Sequence, residues 1–325
     1  MSVGAAETVP QASADLSFLD MGGEIAARSP LQLFWRRLRQ DRVALVSMAF
    51  IVFIIVLAIA APLLVELLGL PGPYVQNANL TDAFGAPLGP SGAHPFGVDQ
   101  LGRDVMSRVI YGTRVSLEVG IIGTAVATII GVVVGVLAGF YRGWVDMLLS
   151  RVIDVVLSVP VLLLGLGIGA ACAVRGCLSG TIQPGLGVVI FLIALVNWTY
   201  VARIVRGLVL SMREREFVEA SRALGASDGR IMFREILPNL VAPIIVYSSL
   251  LIPANILLEA ALSYLGVGIR PPTASWGQMI ADATPIFNTA WWYMTFPGMA
   301  LLLTVLAFNL LGDGLQDALN PRAAR

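Results

Sequence analysis

The sequence predicts an all-α membrane protein that crosses the bilayer about six times. Three observations carry this expectation. Of its 325 residues, 57% are hydrophobic and only 13% charged, against about 25% charged in an average soluble domain. The apolar residues fall in blocks near or above the roughly 18 that mark a membrane-crossing helix. Between two such blocks sits a polar island, residues 213–238, with five Arg and five acidic residues.

The elements follow in chain order. Residues 1–28 are Ala/Ser-rich and lack an early basic segment followed by an apolar core, so they read as a disordered tail and not as a cleavable signal peptide. Residues 1–40 together form the expected N-terminal tail. The first span is expected within 41–66, after Arg36, Arg37, Arg39 and Arg42. A long Gly- and Pro-rich loop follows at 67–114. A five-helix core is expected over 115–314, with spans near 115–138, 147–171, 186–205, 240–262 and 296–311. Residues 315–325 form a short C-terminal tail. Within the second span, Gly131, Gly135 and Gly139 recur every four residues and make a smooth stripe for close helix approach. Pro160 is expected to kink the third span.

The arginines orient the chain. With the N-terminus in the cytoplasm, sixteen of the 21 Arg lie at or near the inside. Only Arg103, Arg108, Arg114, Arg175 and Arg270 lie outside. This arrangement predicts a multi-pass protein of the cell membrane with both termini and the 213–238 island in the cytoplasm. Trp291, Trp292 and Tyr293, in the last outside loop, suit a membrane interface.

Composition also excludes chemistry. Formal net charge is zero, so charge implies no nucleic-acid partner. There is no Lys, and a phosphate-binding P-loop needs one. One His and two Cys are too few for a His/Cys metal site. The chain is therefore expected to be no enzyme by itself, with no catalytic, cofactor or metal residues.

Some polar residues call for a reading one by one. In the island, Phe217, Ala220 and Leu224 recur at helical spacing, Gly225 permits a turn, and Ser227 suits the cap of a second short helix carrying Ile231, Met232 and Phe233. Periodicity alone leaves a docking knob and an incidental solvated loop equally open. Asp154 lies about two turns into the third span, three residues after Arg151. A local Arg151–Asp154 pair near the inner interface is favoured over a solute-lining role. Glu118 and Glu259 lie near outer ends of spans and are candidates for the external mouth. Asn197, in the fourth span, is either a solute contact or, by preference, helix packing. Cys172 and Cys177 share an outside loop, where either a disulfide or two unpaired thiols fits. His94 reads as a loop-packing residue.

The spacing Glu219-Ala220-Ser221, three residues, Gly225, then Leu237-Pro238 resembles the E-A-A loop of permease subunits of binding-protein-dependent ABC importers. Ser221 replaces the second Ala of that pattern, and Glu235 occupies its Ile position with Ile236 beside it. The run His94-Pro95-Phe96-Gly97-Val98-Asp99 through Arg103-Asp104 resembles the C-type subunits of dipeptide/oligopeptide permeases. So do Leu258 to Gly266 with Pro271-Pro272 and Ser275-Trp276-Gly277, and the ending from Asn309 to Arg322, where Gln316 and Asn320 depart from the usual Arg and Asp.

The resemblance covers roughly residues 30–322 and implies a type I ABC importer permease fold. It implies that the island docks into a groove on a separate ATPase subunit through Glu219, Ala220, Ser221, Gly225, Ala226, Leu237 and Pro238. It also raises the weight of Glu259 as a translocation-path candidate beside Asp154 and Asn197. The implied partners are a second permease subunit, two ATPase subunits holding ATP and Mg, an external solute-binding protein and a peptide substrate. Nickel-uptake permeases share these motifs and stay open as an alternative. From a different class, so does an ion-coupled transporter or channel, which would move solute without ATPase partners.

Overall fold

The computed structural model describes residues 30–82, 85–172 and 174–319. The tail expected over 1–28, and Asn320, Arg322 and Arg325, lie outside the described residues. Among those described, the chain is helical, with only isolated β-bridges in its loops.

The helices run α1 (Pro30–Gln40), α2 (Arg42–Ile59), α3 (Ala61–Leu67), α4 (Val105–Phe140), α5 (Trp144–Ser158), α6 (Val161–Ala171), α7 (Leu186–Met212), α8 (Glu216–Ala223), the single turn α9 (Asp228–Arg230), α10 (Leu237–Tyr264), α11 (Trp276–Ala283) and α12 (Trp291–Leu319). Helices α2, α4, α7, α10 and α12 are long and apolar enough to cross a membrane, and α5 with α6 form a sixth, broken span. The break is sharper than the expected kink: the two halves meet at 82°. Val159 is extended and Pro160 supplies no amide hydrogen, so the helix ends and restarts.

Two expected boundaries differ. Residues 30–40, assigned to the tail, form helix α1. It packs Leu38 and Phe34 against Ala44, Leu315 and Ala318. Helix α4 starts ten residues before the expected span. Asp104 caps it by accepting the Ser107 amide at 2.7 Å, and Val105, Val109 and Ile110 bury its first turns. At 36 residues, α4 is about 54 Å long. A hydropathy window registers only its apolar middle.

Helices α4 and α7 run side by side in the same direction and form the centre of the bundle. A Cβ added at Gly131 would lie 2.5 Å from Val201 Cβ, at Gly135 2.7 Å from the Ala202 carbonyl, and at Gly139 2.7 Å from Val209 Cβ. The three glycines therefore set the distance between the two backbones. Polar side chains pin the same centre. Asn197 of α7 donates to Asn255 of α10, which donates to Thr124 Oγ1 of α4 at 2.7 Å.

This packing predicts that Gly135→Leu loses about 1–3 kcal/mol of stability by overpacking. Gly207, on α7 with open space around it, serves as the control. Thermal unfolding of the purified protein should shift down for Gly135→Leu and stay near wild type for Gly207→Leu.

Candidate functional site

Residues 213–238 fold into an elbow whose two short helices turn back on each other. Helix α8 ends in a paired cap: the Gly225 amide donates to the Arg222 carbonyl at 3.0 Å and the Ala226 amide to Ser221 at 3.1 Å. Gly225 has φ +79°, a backbone conformation that strains any side-chain-bearing residue. Ser227 occupies the position before α9, but its side chain makes no capping hydrogen bond. The chain then passes through a wide turn, Ile231–Ile236, into α10. Leu237 donates to the Met232 carbonyl five residues back, next to Pro238, which has no amide hydrogen to continue the regular ladder.

The elbow turns some of its apolar residues inward and others outward. Val218, Ile231, Met232 and Ile236 point inward and pack on Val136 and Phe140 of α4 and Val201, Val205 and Val209 of α7. Phe217, Leu224 and Phe233 point outward, with Leu224 88% exposed. Of the expected coupling residues, Glu219, Ala220, Gly225 and Pro238 are exposed. Ser221 is half-buried, and Ala226 and Leu237 pack against the inner cluster. The inner face thus seats the elbow and the outer face offers apolar side chains among charges.

Ion pairs root the elbow in the bundle. Arg213 donates to the Phe140 carbonyl at 2.5 Å, satisfying an end group that α4 leaves open. Glu214 pairs with both Arg213, at 3.2 Å, and Arg142. Arg206 grips Asp146 through two nitrogens, at 2.6 and 2.8 Å. These links had no motif to announce them. The one available signal was a carboxylate, Asp146, at the start of an apolar helix.

The three translocation-path candidates lie apart. Asp154 pairs with Arg203 of α7 at 2.9 Å, not with Arg151 as its spacing suggested, because α5 lies alongside α7. The pair is about half exposed. Asn197 is the packing bridge described above. Glu259 is fully buried and reaches no open mouth. Its Oε1 accepts from Ser263 at 2.8 Å and Ser275 at 2.9 Å, and its Oε2 from Ser116 at 3.4 Å.

Each of these serines also receives a backbone amide: Ile269 on Ser263, Gln278 on Ser275 and Trp276 on Ser116. The hydroxyl protons are therefore turned toward the carboxylate. Glu259 ties α4, the turn after α10 and the start of α11 into one node. The three serines are scattered along the sequence, so no local pattern marks them.

The end opposite the elbow is held by the residues of the 94–104 motif. Asp99 accepts the Leu101 and Arg103 amides at 2.9 and 3.0 Å and the Arg103 side chain at 2.6 Å. Arg108, also buried, lies 3.6 Å from the same carboxylate and donates to the Pro73 carbonyl at 3.1 Å. His94 meets Asp104 at 2.8 Å. Trp292 donates to the Val98 carbonyl at 3.1 Å, and Phe96 stacks on Phe296 at 3.8 Å. Trp292 and Tyr293 are accordingly buried, and of the three aromatics expected at a membrane interface only Trp291 is exposed. Glu118 pairs with Arg114 at 3.5 Å on a partly exposed face. Cys172 and Cys177 are joined in a disulfide beside Val119, Val188 and Leu262.

The Glu259 node predicts that Glu259→Leu destabilises the protein more than Ser116→Ala. The first leaves three buried hydroxyl protons without an acceptor, at about 1–3 kcal/mol each where no water enters. The second removes two long bonds, both 3.4 Å, one to Glu259 and one from the Trp276 amide. Thermal unfolding of the two variants checks the ranking; equal midpoints for Glu259→Leu and wild type would contradict it.

Comparison with known proteins gives the arrangement its family. A family described as binding-protein-dependent transport system inner membrane component matches residues 131–325. The N-terminal TM domain of oligopeptide transport permease C matches residues 29–87. The chain is 39% identical to the dipeptide transport system permease protein DppC of Alkalihalophilus pseudofirmus, over 92% of both chains. It is 41% identical to the glutathione transport system permease protein GsiD of Escherichia coli O6:K15:H31, over 91% of both. Its fold matches a chain of the inward-facing MetNI methionine ABC transporter with TM-score 0.56 at 21% identity, covering 66% of this chain and 98% of that one. The chain belongs to the family of binding-protein-dependent transport system inner membrane components and carries the N-terminal domain of oligopeptide transport permease C ahead of the shared core.

Proposed function

We propose that this chain is one of two permease subunits of an ABC importer for dipeptides or other short peptides, driven by separate ATPase subunits through the elbow. The single observation that carries the coupling role is the two-sided elbow. Its inner face is packed into α4 and α7, while Phe217, Leu224 and Phe233 stand outward without an intramolecular partner cluster. A peptide substrate is supported by the relatives named for dipeptide and glutathione transport. The distribution of Arg supports an elbow on the cytoplasmic side, with both termini there.

The mechanism is mechanical. ATP and Mg sit in the partner subunits, and their closure displaces the elbow. Because Arg213 holds the Phe140 carbonyl and Val218 packs beside Val205 and Val209, the displacement passes to α4 and α7 as one body. Helix α10 continues directly from the elbow, so it moves as well, and its far end carries the Glu259 node. Together with a second permease subunit, this motion opens the path alternately to each side. An external solute-binding protein delivers peptide to the end built from the 67–104 and 265–290 segments. Asp154 with Arg203 is the charged pair we assign to the path between the two subunits.

In the assembled importer, Glu219→Arg and Leu224→Asp are each expected to lower peptide uptake about ten-fold or more, the size of losing an interface anchor. ATP hydrolysis should become independent of loaded binding protein. Uptake and hydrolysis measured in the same proteoliposomes check this. Wild-type uptake by both variants would refute the coupling assignment. Uptake by the purified chain alone under an ion gradient would assign it to a different transporter class.

A further inference from the structure

The described N-terminus carries a basic face that neither the bundle nor the transport reading uses. Helix α1 is eleven residues long, and Asp41 alone separates it from the first span. Its inner side leans on the ends of α2 and α12 through Leu38 with Ala44, Ala318 and Leu315. Asp41 is occupied as the cap of α2, accepting the Val43 and Ala44 amides at 2.9 and 3.1 Å. The outer side presents Trp35, 46% exposed, together with Arg36 and Arg39; Arg42, the first residue of α2, is exposed beside them. The Arg39 guanidinium lies over the Trp35 ring, 5.8 Å from its centroid.

Charge pairing separates this group from four arginines around the elbow's root. Arg142, Arg203, Arg206 and Arg213 each meet a carboxylate. Arg36, Arg39 and Arg42 meet none among the described residues. Three guanidinium groups and an indole are thus held at the level where a membrane span begins. Such a face is complementary to phosphate groups at a bilayer surface, with the indole at headgroup depth. Guanidinium forks bond phosphate oxygens in pairs, which a water-exposed position alone would not exploit.

We propose that Arg36, Arg39 and Arg42, with Trp35, form a docking site for the headgroups of anionic phospholipids, fixing α1 on the membrane surface against the ends of α2 and α12. The site depends on α2 crossing the bilayer and not on the identity of the transported solute. A failure here therefore leaves the importer reading untouched.

The test is arginine footprinting with phenylglyoxal on the full chain in lipid nanodiscs. One set contains phosphatidylcholine alone and the other includes phosphatidylglycerol at about a third of the lipid. Arg230, exposed on the elbow, is the internal reference. Relative to Arg230, modification of Arg36, Arg39 and Arg42 is expected to fall about five-fold each when phosphatidylglycerol is present. High salt should reverse the protection. Equal modification in the two lipids would overturn the proposal. So would protection that appears in phosphatidylcholine alone and vanishes when residues 1–28 are removed, which would make the chain's own tail the occupant. Protection that requires an added ATPase subunit and no anionic lipid would assign the face to a protein and overturn it too.

Discussion

A polar side chain inside an apolar bundle has no water to bond, so it must find its partner within the protein. In this chain that requirement decides which helices are fastened together. Asn197, Asn255 and Thr124 link α7, α10 and α4. Arg206 and Asp146 link α7 to α5. Glu259 gathers three serines from separate parts of the sequence and fixes α11 to the spans. The glycine stripe of α4 then lets apolar contact close the remaining space against α7. Polar satisfaction selects the neighbours, and small residues set how near they come.

The same logic governs the elbow. A loop of alternating charges could lie loosely in water. Here Val218, Ile231, Met232 and Ile236 are drawn into the crevice between α4 and α7, and Arg213 closes the open end of α4. A loop seated this way cannot move without moving the helices beneath it. Its outer apolar residues gain nothing from the seating, which leaves them for another surface. At the opposite end, buried Asp99 and Arg108 tie the long loop to α4, so the bundle is braced at both ends.

The sequence made the spans and the elbow legible, because hydropathy and the Gly225 turn are local signals. It placed Pro160 correctly as a disruption, although an extended Val159 makes the break far sharper than a kink. It did not reveal α1 as a helix, since eleven residues with three Arg in the second half fall below any span threshold. Within the elbow, periodicity puts Phe217, Ala220 and Leu224 on one face but cannot distinguish seating from docking. Val218, between them, takes the buried position by joining the cluster of α4 and α7 side chains. Partners distant in sequence were invisible: Asp154 finds Arg203 where Arg151 was the nearer candidate. The sequence gives no hint of the serine cage that buries Glu259.

The elbow can drive the helices only if its outward face is gripped by a nucleotide-hydrolysing subunit. The direct measurement is site-specific cross-linking in the assembled importer, with a cysteine at Leu224 or Phe233, since both native cysteines are bonded to each other. Each position is expected to be captured by an ATPase subunit, with a yield that changes when ATP is bound. A control cysteine at Val174, exposed at the far end, should give none. Capture at Val174, or silence at both elbow positions in a complex that hydrolyses ATP, would contradict it.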